Sequence, residues 1–283
     1  MKSGTLKVPG ATLFYEERGS GPLLVLLPGS GADAAMFDHL AELLVPHFTV
    51  LAADPRGYSR SPLDGPPVDQ QVEVMSEDIH RLIEDRAPAG ESVYVFGASG
   101  GAVVALDLLA RHPDRLALVV AHEPPSFGLL PDAADHRAFV DEVYELFRRE
   151  GAAVAGAHFA AGVGAQLRGL PDPATLPPRA ADMVARVMAN LPIMLEHELR
   201  QITSHLPDEA ALAAVAGRLV LAVGAESPGT LPYRPAATLA DRLGTPLIEF
   251  PGGHGGLNQH PEAFGRKLLD VLQAARTRAG AID

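Results

Sequence analysis

Val93-Tyr94-Val95-Phe96-Gly97-Ala98-Ser99-Gly100-Gly101, followed by Ala102-Val103-Val104-Ala105-Leu106, is the stretch on which the reading of this chain turns. An apolar, β-branched and aromatic run enters a Gly-x-Ser-x-Gly turn, and a small-residue helical pattern leaves it. That order of strand, sharp turn and helix is what a nucleophile elbow needs, because the turn lifts the serine hydroxyl into the open. Gly97 and Gly101 carry no Cβ, so strand and helix can approach closely, while Ser99 can be held in a strained backbone conformation. The pentapeptide alone recurs by chance. The strand before it and the helix after it make the signal specific.

The rest of the chain repeats the same alternation. Thr5–Val8 and Thr12–Glu17, separated by Pro9-Gly10, read as an opening hairpin, and Leu23–Leu27 as a strand buried on both faces. Further strands are expected at Phe48–Ala53, Ser92–Phe96, Leu116–Ala121, Arg218–Val223 and Pro246–Phe250. Helices are expected near Ala32–Leu44, Val68–Arg86, Gly100–Arg111, Arg234–Leu243 and Pro261–Arg276. Strands alternating with helices predict an α/β fold with a parallel sheet covered by helices. One interval breaks the rhythm: from Pro124 to His205 there are helix-like blocks and no convincing strand. It is read as an inserted helical cap, residues 124–205, with the core formed by 1–123 and 206–283. Pro171-Asp172-Pro173 and Pro177-Pro178 divide the cap, since proline cannot continue a helix. Its large apolar residues, among them Phe127, Phe139, Tyr144, Phe147, Phe159, Met188 and Met194, are expected to build its own core, with a few lining a pocket.

Composition narrows the partners. With 23 basic and 35 acidic residues the 283-residue chain carries a formal charge of −12, which repels nucleic acid and anionic membranes. There is no cysteine, so disulfides, thiolate chemistry and Cys-based metal sites are excluded. The start, Met1-Lys2-Ser3-Gly4-Thr5-Leu6-Lys7-Val8, has no apolar signal-peptide core, and no apolar run is long enough to span a bilayer. A soluble cytoplasmic protein is the expectation, with a homodimer left open. Arg137, Arg148, Arg149, Arg168, Arg179, Arg186 and Arg200 sit in polar helical contexts typical of solvated faces, so no pocket cation is expected and the substrate should be uncharged or weakly polar.

A serine hydroxyl is a poor nucleophile at neutral pH and needs a base within reach, itself oriented by an acid. His254 fits the base. It lies in Pro251-Gly252-Gly253-His254-Gly255-Gly256, after the last expected strand and before the last helix. His39, His47, His80, His112, His136, His158, His197, His205 and His260 are read as surface or packing residues. No metal is expected at His122 or elsewhere, since no HExxH-like cluster surrounds it, and no cofactor is called for.

The elbow, the late histidine and two early loops together resemble the α/β-hydrolase superfamily over essentially the whole chain. Leu27-Pro28-Gly29-Ser30-Gly31 stands where such enzymes carry His-Gly-x-x, and Asp54-Pro55-Arg56-Gly57-Tyr58-Ser59-Arg60-Ser61 is similar to their Asp-x-Arg-Gly-x-Gly-x-Ser loop. The resemblance implies a mostly parallel eight-stranded sheet flanked by helices, and an oxyanion hole formed by the backbone N–H groups of Ser30 and Gly100. It also raises the question of the acid. In most members an aspartate follows the strand that here ends near Val223; that position is Ser227, with Glu226 the nearest carboxylate. A subset places the acid after the preceding strand, where this chain reads His122-Glu123-Pro124-Pro125, an arrangement similar to the zearalenone lactonases. Glu123 is therefore the expected acid and Glu226 the alternative. With serine rather than aspartate at the elbow the implied chemistry is acyl transfer on a small, mainly apolar ester or lactone. A receptor-like homologue that binds or hydrolyses very slowly, or a C–C or thioester hydrolase with the same triad, is the alternative.

Overall fold

The computed structural model describes residues 1–164 and 172–279. Eight strands form one sheet: β1 (Lys2–Val8), β2 (Ala11–Gly19), β3 (Leu23–Leu27), β4 (Thr49–Ala53), β5 (Val93–Ala98), β6 (Leu116–His122), β7 (Leu219–Gly224) and β8 (Leu247–Phe250), in spatial order β1-β2-β4-β3-β5-β6-β7-β8. β2 runs antiparallel to β1 and β4, and every pairing from β4 to β8 is parallel. The sheet is thus the mostly parallel, eight-stranded one expected. Its first turn is set by Gly10, whose φ of 81° lies where a side chain would be strained.

The helices are α1 (Asp38–Leu44), α2 (Val72–Arg86), α3 (Gly100–Arg111), α4 (Ala133–Glu150), α5 (Ala152–Gly162), α6 (Pro178–Ile193), α7 (Leu199–Ser204), α8 (Glu209–Ala214), α9 (Tyr233–Leu243), α10 (Gly256–Gln259) and α11 (Pro261–Ala279). β3, wholly buried, shows why the central strands read as continuous apolar runs: its alternate residues feed two different cores. Val25 joins α2, α3, α8 and α9 on one face of the sheet. Leu24 and Leu26 join α1 and α11 on the other.

Two expected helices start later than their periodicity suggests. Residues 68–71 stay outside the helix: the Gln70 N–H donates to the His197 carbonyl at 2.8 Å and Gln71 is extended, leaving Val72 as the first residue of α2. The helix expected from Ala32 begins instead as a 3-10 turn at Ala34–Phe37, whose Ala35 N–H is capped by the Asp33 carboxylate, and turns α-helical at Asp38. Strand ends shift by one to three residues, the largest being β1, which starts at Lys2 rather than Thr5; Phe48 lies outside β4 yet is fully buried against Tyr94.

Between β6 and β7 the described residues form helices and turns without a strand. Phe127, Val140, Val143, Leu195 and Leu199 make a separate apolar cluster there, joined by Tyr58 and Leu231 from the main body. Pro178 occupies the first turn of α6 and Pro192 lies inside it. Just beyond, Met194–Glu198 widens to π geometry, as befits a helix that has lost a ladder N–H to proline. Pro171 and Arg168 lie outside the described residues. No helix among those described is long and apolar enough to cross a membrane.

Because the chain leaves β3 toward β4 on one side and returns to β5 on the other, the loops after β3 and β5 diverge at the carboxyl edge of the sheet. Such a switch point leaves a crevice open for a site.

Candidate active site

At the end of β5 the backbone turns abruptly. Ser99 has φ 53° and ψ −121°, a left-handed conformation that costs an ordinary residue about 1–3 kcal/mol and persists only where the surroundings impose it. The glycines supply that imposition. A Cβ on Gly97 would lie 2.8 Å from the Ala102 Cα, and one on Gly101 would lie 2.5 Å from the Pro28 carbonyl oxygen. Strand, turn and helix can meet this closely only where those two positions are bare.

Ser99 and Glu123 follow a registered pair, Ala98 and His122, on adjacent strands. The Ser99 N–H donates to the His122 carbonyl and the Glu123 N–H to the Ala222 carbonyl, both at 2.9 Å, so each loop is stitched to the next strand. Glu123, like Ser99, has a positive φ, 47°. Its side chain is fully buried, with Oε1 accepting the Gly224 N–H at 2.9 Å and Oε2 2.7 Å from His254 Nδ1. A carboxylate only accepts, so the Nδ1 proton lies on this bond and Nε2 is left as an acceptor. That Nε2 stands 3.2 Å from Ser99 Oγ. Burial alone would raise the Glu123 pKa, but the His254 hydrogen bond and charge, with smaller help from His122 and the Gly224 N–H, hold it below the ordinary carboxylate value. His122, fully buried and edge-on to Phe250 and Phe264, is pushed down by burial to about 4.

Glu226 is elsewhere. Its carboxylate is exposed and nearest to His260, at 3.7 Å, so the alternative acid does not meet His254. Ser227 is buried beside the histidine loop, where a Cβ on Gly253 would be 3.5 Å from its Oγ. A hydroxyl thus fills the place where the resemblance leads one to look for an aspartate.

The loop after β3 closes the other side. A Cβ on Gly29 would touch Ser99 Cβ at 3.3 Å, and one on Gly100 would sit 3.2 Å from the Ser30 nitrogen. The two expected backbone donors therefore lie side by side next to Ser99. Among the described residues neither N–H is taken by a backbone carbonyl. Asp54 braces this loop from below: fully buried, it accepts the Ala34 N–H at 3.0 Å and holds the Arg60 guanidinium at 2.7 and 2.8 Å.

Ser99 and His254 open into a cavity of about 320 Å³ whose far wall is apolar: Phe127, Phe159, Val163, Leu191, Met194 and Ile202. Phe127, Phe159 and Met194 are the pocket-lining members of the apolar set in 124–205. Among the described residues no cluster of three or more His, Asp or Glu could hold a metal ion.

Two arginines differ from the expectation of a solvated face. Arg186 Nε donates to the fully buried Asp33 at 2.5 Å, and Arg179 bridges buried Glu16 and half-buried Asp38 at 2.6 Å each. Both join α6 to the sheet domain. Sequence reading also missed Glu198, fully buried on the π turn, and Asn190 on α6. Their partners lie far away in the chain. The local signal that could have drawn attention to them is Pro192, which marks the irregular helix end between them.

A family model described as the α/β hydrolase fold matches residues 22–198, more than half of the chain. The uncharacterized hydrolase YraK of Bacillus subtilis is 33% identical over 279 residues, covering 96% of this chain and 97% of that protein. A zearalenone hydrolase of Bionectria ochroleuca is 26% identical over 273 residues, with coverage of 95% and 97%. Among solved structures, a thermophilic esterase from Thermogutta terrifontis superposes with a TM-score of 0.75 at 20% identity, covering 96% of this chain and 99% of its own, a likeness of fold.

Proposed function

The chain belongs to the α/β-hydrolase fold family, and on that footing we propose that it is a serine-dependent hydrolase of carboxylic esters or lactones, with an acyl-enzyme on Ser99. The observation that carries this reading is the continuous line from Glu123 through His254 to Ser99, with contacts of 2.7 and 3.2 Å. Ser99 Oγ attacks the carbonyl carbon as its proton passes to His254 Nε2. Glu123 holds the imidazole in the right tautomer and stabilises the imidazolium. The carbonyl oxygen, now an oxyanion, takes the Ser30 and Gly100 N–H groups, donors already fixed before charge develops. Collapse expels the alkoxide, which takes the proton back from Nε2. Water then enters, its oxygen attacking the acyl carbon as its proton passes to the same nitrogen, and collapse returns that proton to the departing Ser99 Oγ and releases the acid. A lactone follows the same steps, with the leaving alcohol still tethered to the acyl group. The apolar wall of the cavity favours a small, mainly uncharged substrate.

The test is direct. A fluorophosphonate should label wild-type protein at Ser99 and leave Ser99→Ala unlabelled, and p-nitrophenyl butyrate or a small lactone should be hydrolysed only by the wild type. Labelling with no turnover across a panel of esters and lactones would argue instead for a binding role.

A further inference from the structure

The loop that brings Ser30 beside Gly100 is gripped from above by the region between β6 and β7. Glu198 enters from the π turn, and its Oε1 accepts the Ser30 hydroxyl at 3.0 Å. Its Oε2 accepts the Tyr58 hydroxyl, and the nearby Gly31 N–H favours the charged form of the same carboxyl. Asn190, on α6, takes the other side of Gly31: its Nδ2 donates to the Gly31 carbonyl at 2.9 Å, while its Oδ1 accepts the Ser59 N–H at 2.9 Å. Arg186, one turn earlier, pairs with Asp33. Consecutive parts of the loop, Ser30, Gly31 and Asp33, are thus each held by a side chain from α6 or the turn that follows it.

This is an expensive arrangement if its purpose were only to dock a cap. A fully buried carboxyl with no cationic partner among the described residues loses solvation that hydrogen bonds recover only in part, whereas apolar side chains would dock the same helix at lower cost. Burial raises the Glu198 pKa despite the Ser30 and Tyr58 hydroxyls and the nearby Gly31 N–H. What the carboxyl does uniquely is fix the loop by its polar groups at the residue whose N–H faces the nucleophile. π geometry is suited to the task, because the extra residue per turn re-aims a side chain without ending the helix.

We infer that Glu198 is a positioning residue: through Ser30 and Gly31 it holds the Ser30 N–H at the oxyanion position, so that the hole is complete only while the π turn is seated. The inference rests on the proposed acyl-transfer reading, but it fails separately from it. Donor placement matters in the transition state more than in the ground state, so the signature is in kcat.

The experiment compares Glu198→Leu, Glu198→Gln, Ser30→Ala and the Glu198→Leu/Ser30→Ala double variant in the full-length protein, reading kcat and KM for p-nitrophenyl butyrate, affinity for butylboronic acid as a tetrahedral mimic, and the melting temperature. Removing an oxyanion donor costs about 10²–10³ in kcat; a displaced donor should cost about tenfold or more. Glu198→Leu should show that loss with KM within about twofold, and boronate affinity should fall in step with kcat/KM. Glu198→Gln keeps an acceptor oxygen for the Ser30 hydroxyl and turns its NH2 to the Tyr58 hydroxyl, which can rotate to accept it, so this variant should stay within about threefold of wild type. Ser30→Ala should lower kcat, and the double variant should be no worse than the poorer single, since both remove one linkage. A folded Glu198→Leu with wild-type kcat, or a loss confined to KM, would overturn the inference. Should Glu198→Leu not fold, Ser30→Ala decides: a reduced kcat at unchanged melting temperature supports the linkage, and a wild-type kcat overturns it. Ser99→Ala separates the two levels, because turnover surviving in that variant overturns the acyl-transfer reading itself.

Discussion

Glu123→Gln isolates the proposed orienting acid. The substitution is nearly isosteric, so the fully buried site keeps its packing. The amide, however, has only one acceptable orientation. Its oxygen must stay on the Gly224 N–H, now 2.9 Å from Oε1, because the reverse would set two donors against each other in a buried place, at about 1–3 kcal/mol. That choice puts the amide NH2 against His254 Nδ1, at the 2.7 Å contact the carboxylate makes. A donor facing Nδ1 forces the imidazole proton onto Nε2, where it points at Ser99 and blocks proton uptake. In serine triads the wrong tautomer costs about 10⁴ in kcat, equivalent to roughly 5.5 kcal/mol of barrier. The assay is kcat/KM on p-nitrophenyl butyrate alongside circular dichroism and melting temperature. Glu226→Gln, at an exposed carboxylate, is the control and should change little. A folded Glu123→Gln within tenfold of wild type, or an equal loss in Glu226→Gln, would refute the assignment.

Gly101→Ala should destabilise by about 3 kcal/mol or more, because its Cβ would lie 2.5 Å from the Pro28 oxygen at the end of a strand paired on both sides; a melting temperature unchanged from wild type would contradict this. Stability should fall as pH drops from 6.5 toward about 4, since buried His122 is neutral in the fold and takes up a proton only on unfolding. The whole window is worth about 3 kcal/mol, of which roughly 2 kcal/mol is lost by pH 5. His112, also lowered by burial, adds in the same sense, Glu198 and Asp78, both raised by burial, act in the opposite sense, and depressed Glu123 loses its contribution only at lower pH. Urea unfolding at pH 7 and pH 5 should therefore give a flatter dependence in His122→Asn than in wild type, and equal slopes would be inconsistent with a buried neutral imidazole. Phe159→Ala should shift the kcat/KM ratio toward longer acyl chains, by about tenfold or more for a well-seated methylene; an unchanged octanoate-to-butyrate ratio would mean that the wall at Phe159 does not meet the acyl group.

What could be read in the sequence was what is encoded locally. The elbow is legible because strand, turn and helix follow within fourteen residues of one another, and the physical demand, bare Cα atoms at 97 and 101, is written in the residue types. His254 stands out by its glycine-rich loop, and Glu123 by its place after an apolar strand and before two prolines. Glu198 has no such mark. It gains its meaning from Ser30, 168 positions away, and a glutamate on a helix reads as solvated until the fold supplies a neighbour. Arg179 and Arg186 misled for the same reason, since their polar surroundings in sequence say nothing of Glu16 and Asp33, which lie on the other side of the molecule's seam. The start of α2 follows a long-range bond from Gln70 to His197, which no periodicity contains.

The registered pair Ala98 and His122 sets Ser99 and Glu123 on neighbouring strands, one interstrand spacing apart, and this divides the proposed machinery into a fixed part and a tunable one. Nucleophile and acid cannot drift without shearing the centre of the sheet. The imidazole alone hangs from a loop, Pro251–Gly256, at the sheet's far edge, and it is the last of the three to be synthesised. The same end of the chain also supplies Phe264, Leu268 and Leu272 to the core beside β3 and β5, so the edge that carries the imidazole is anchored in the packing that holds the centre of the sheet.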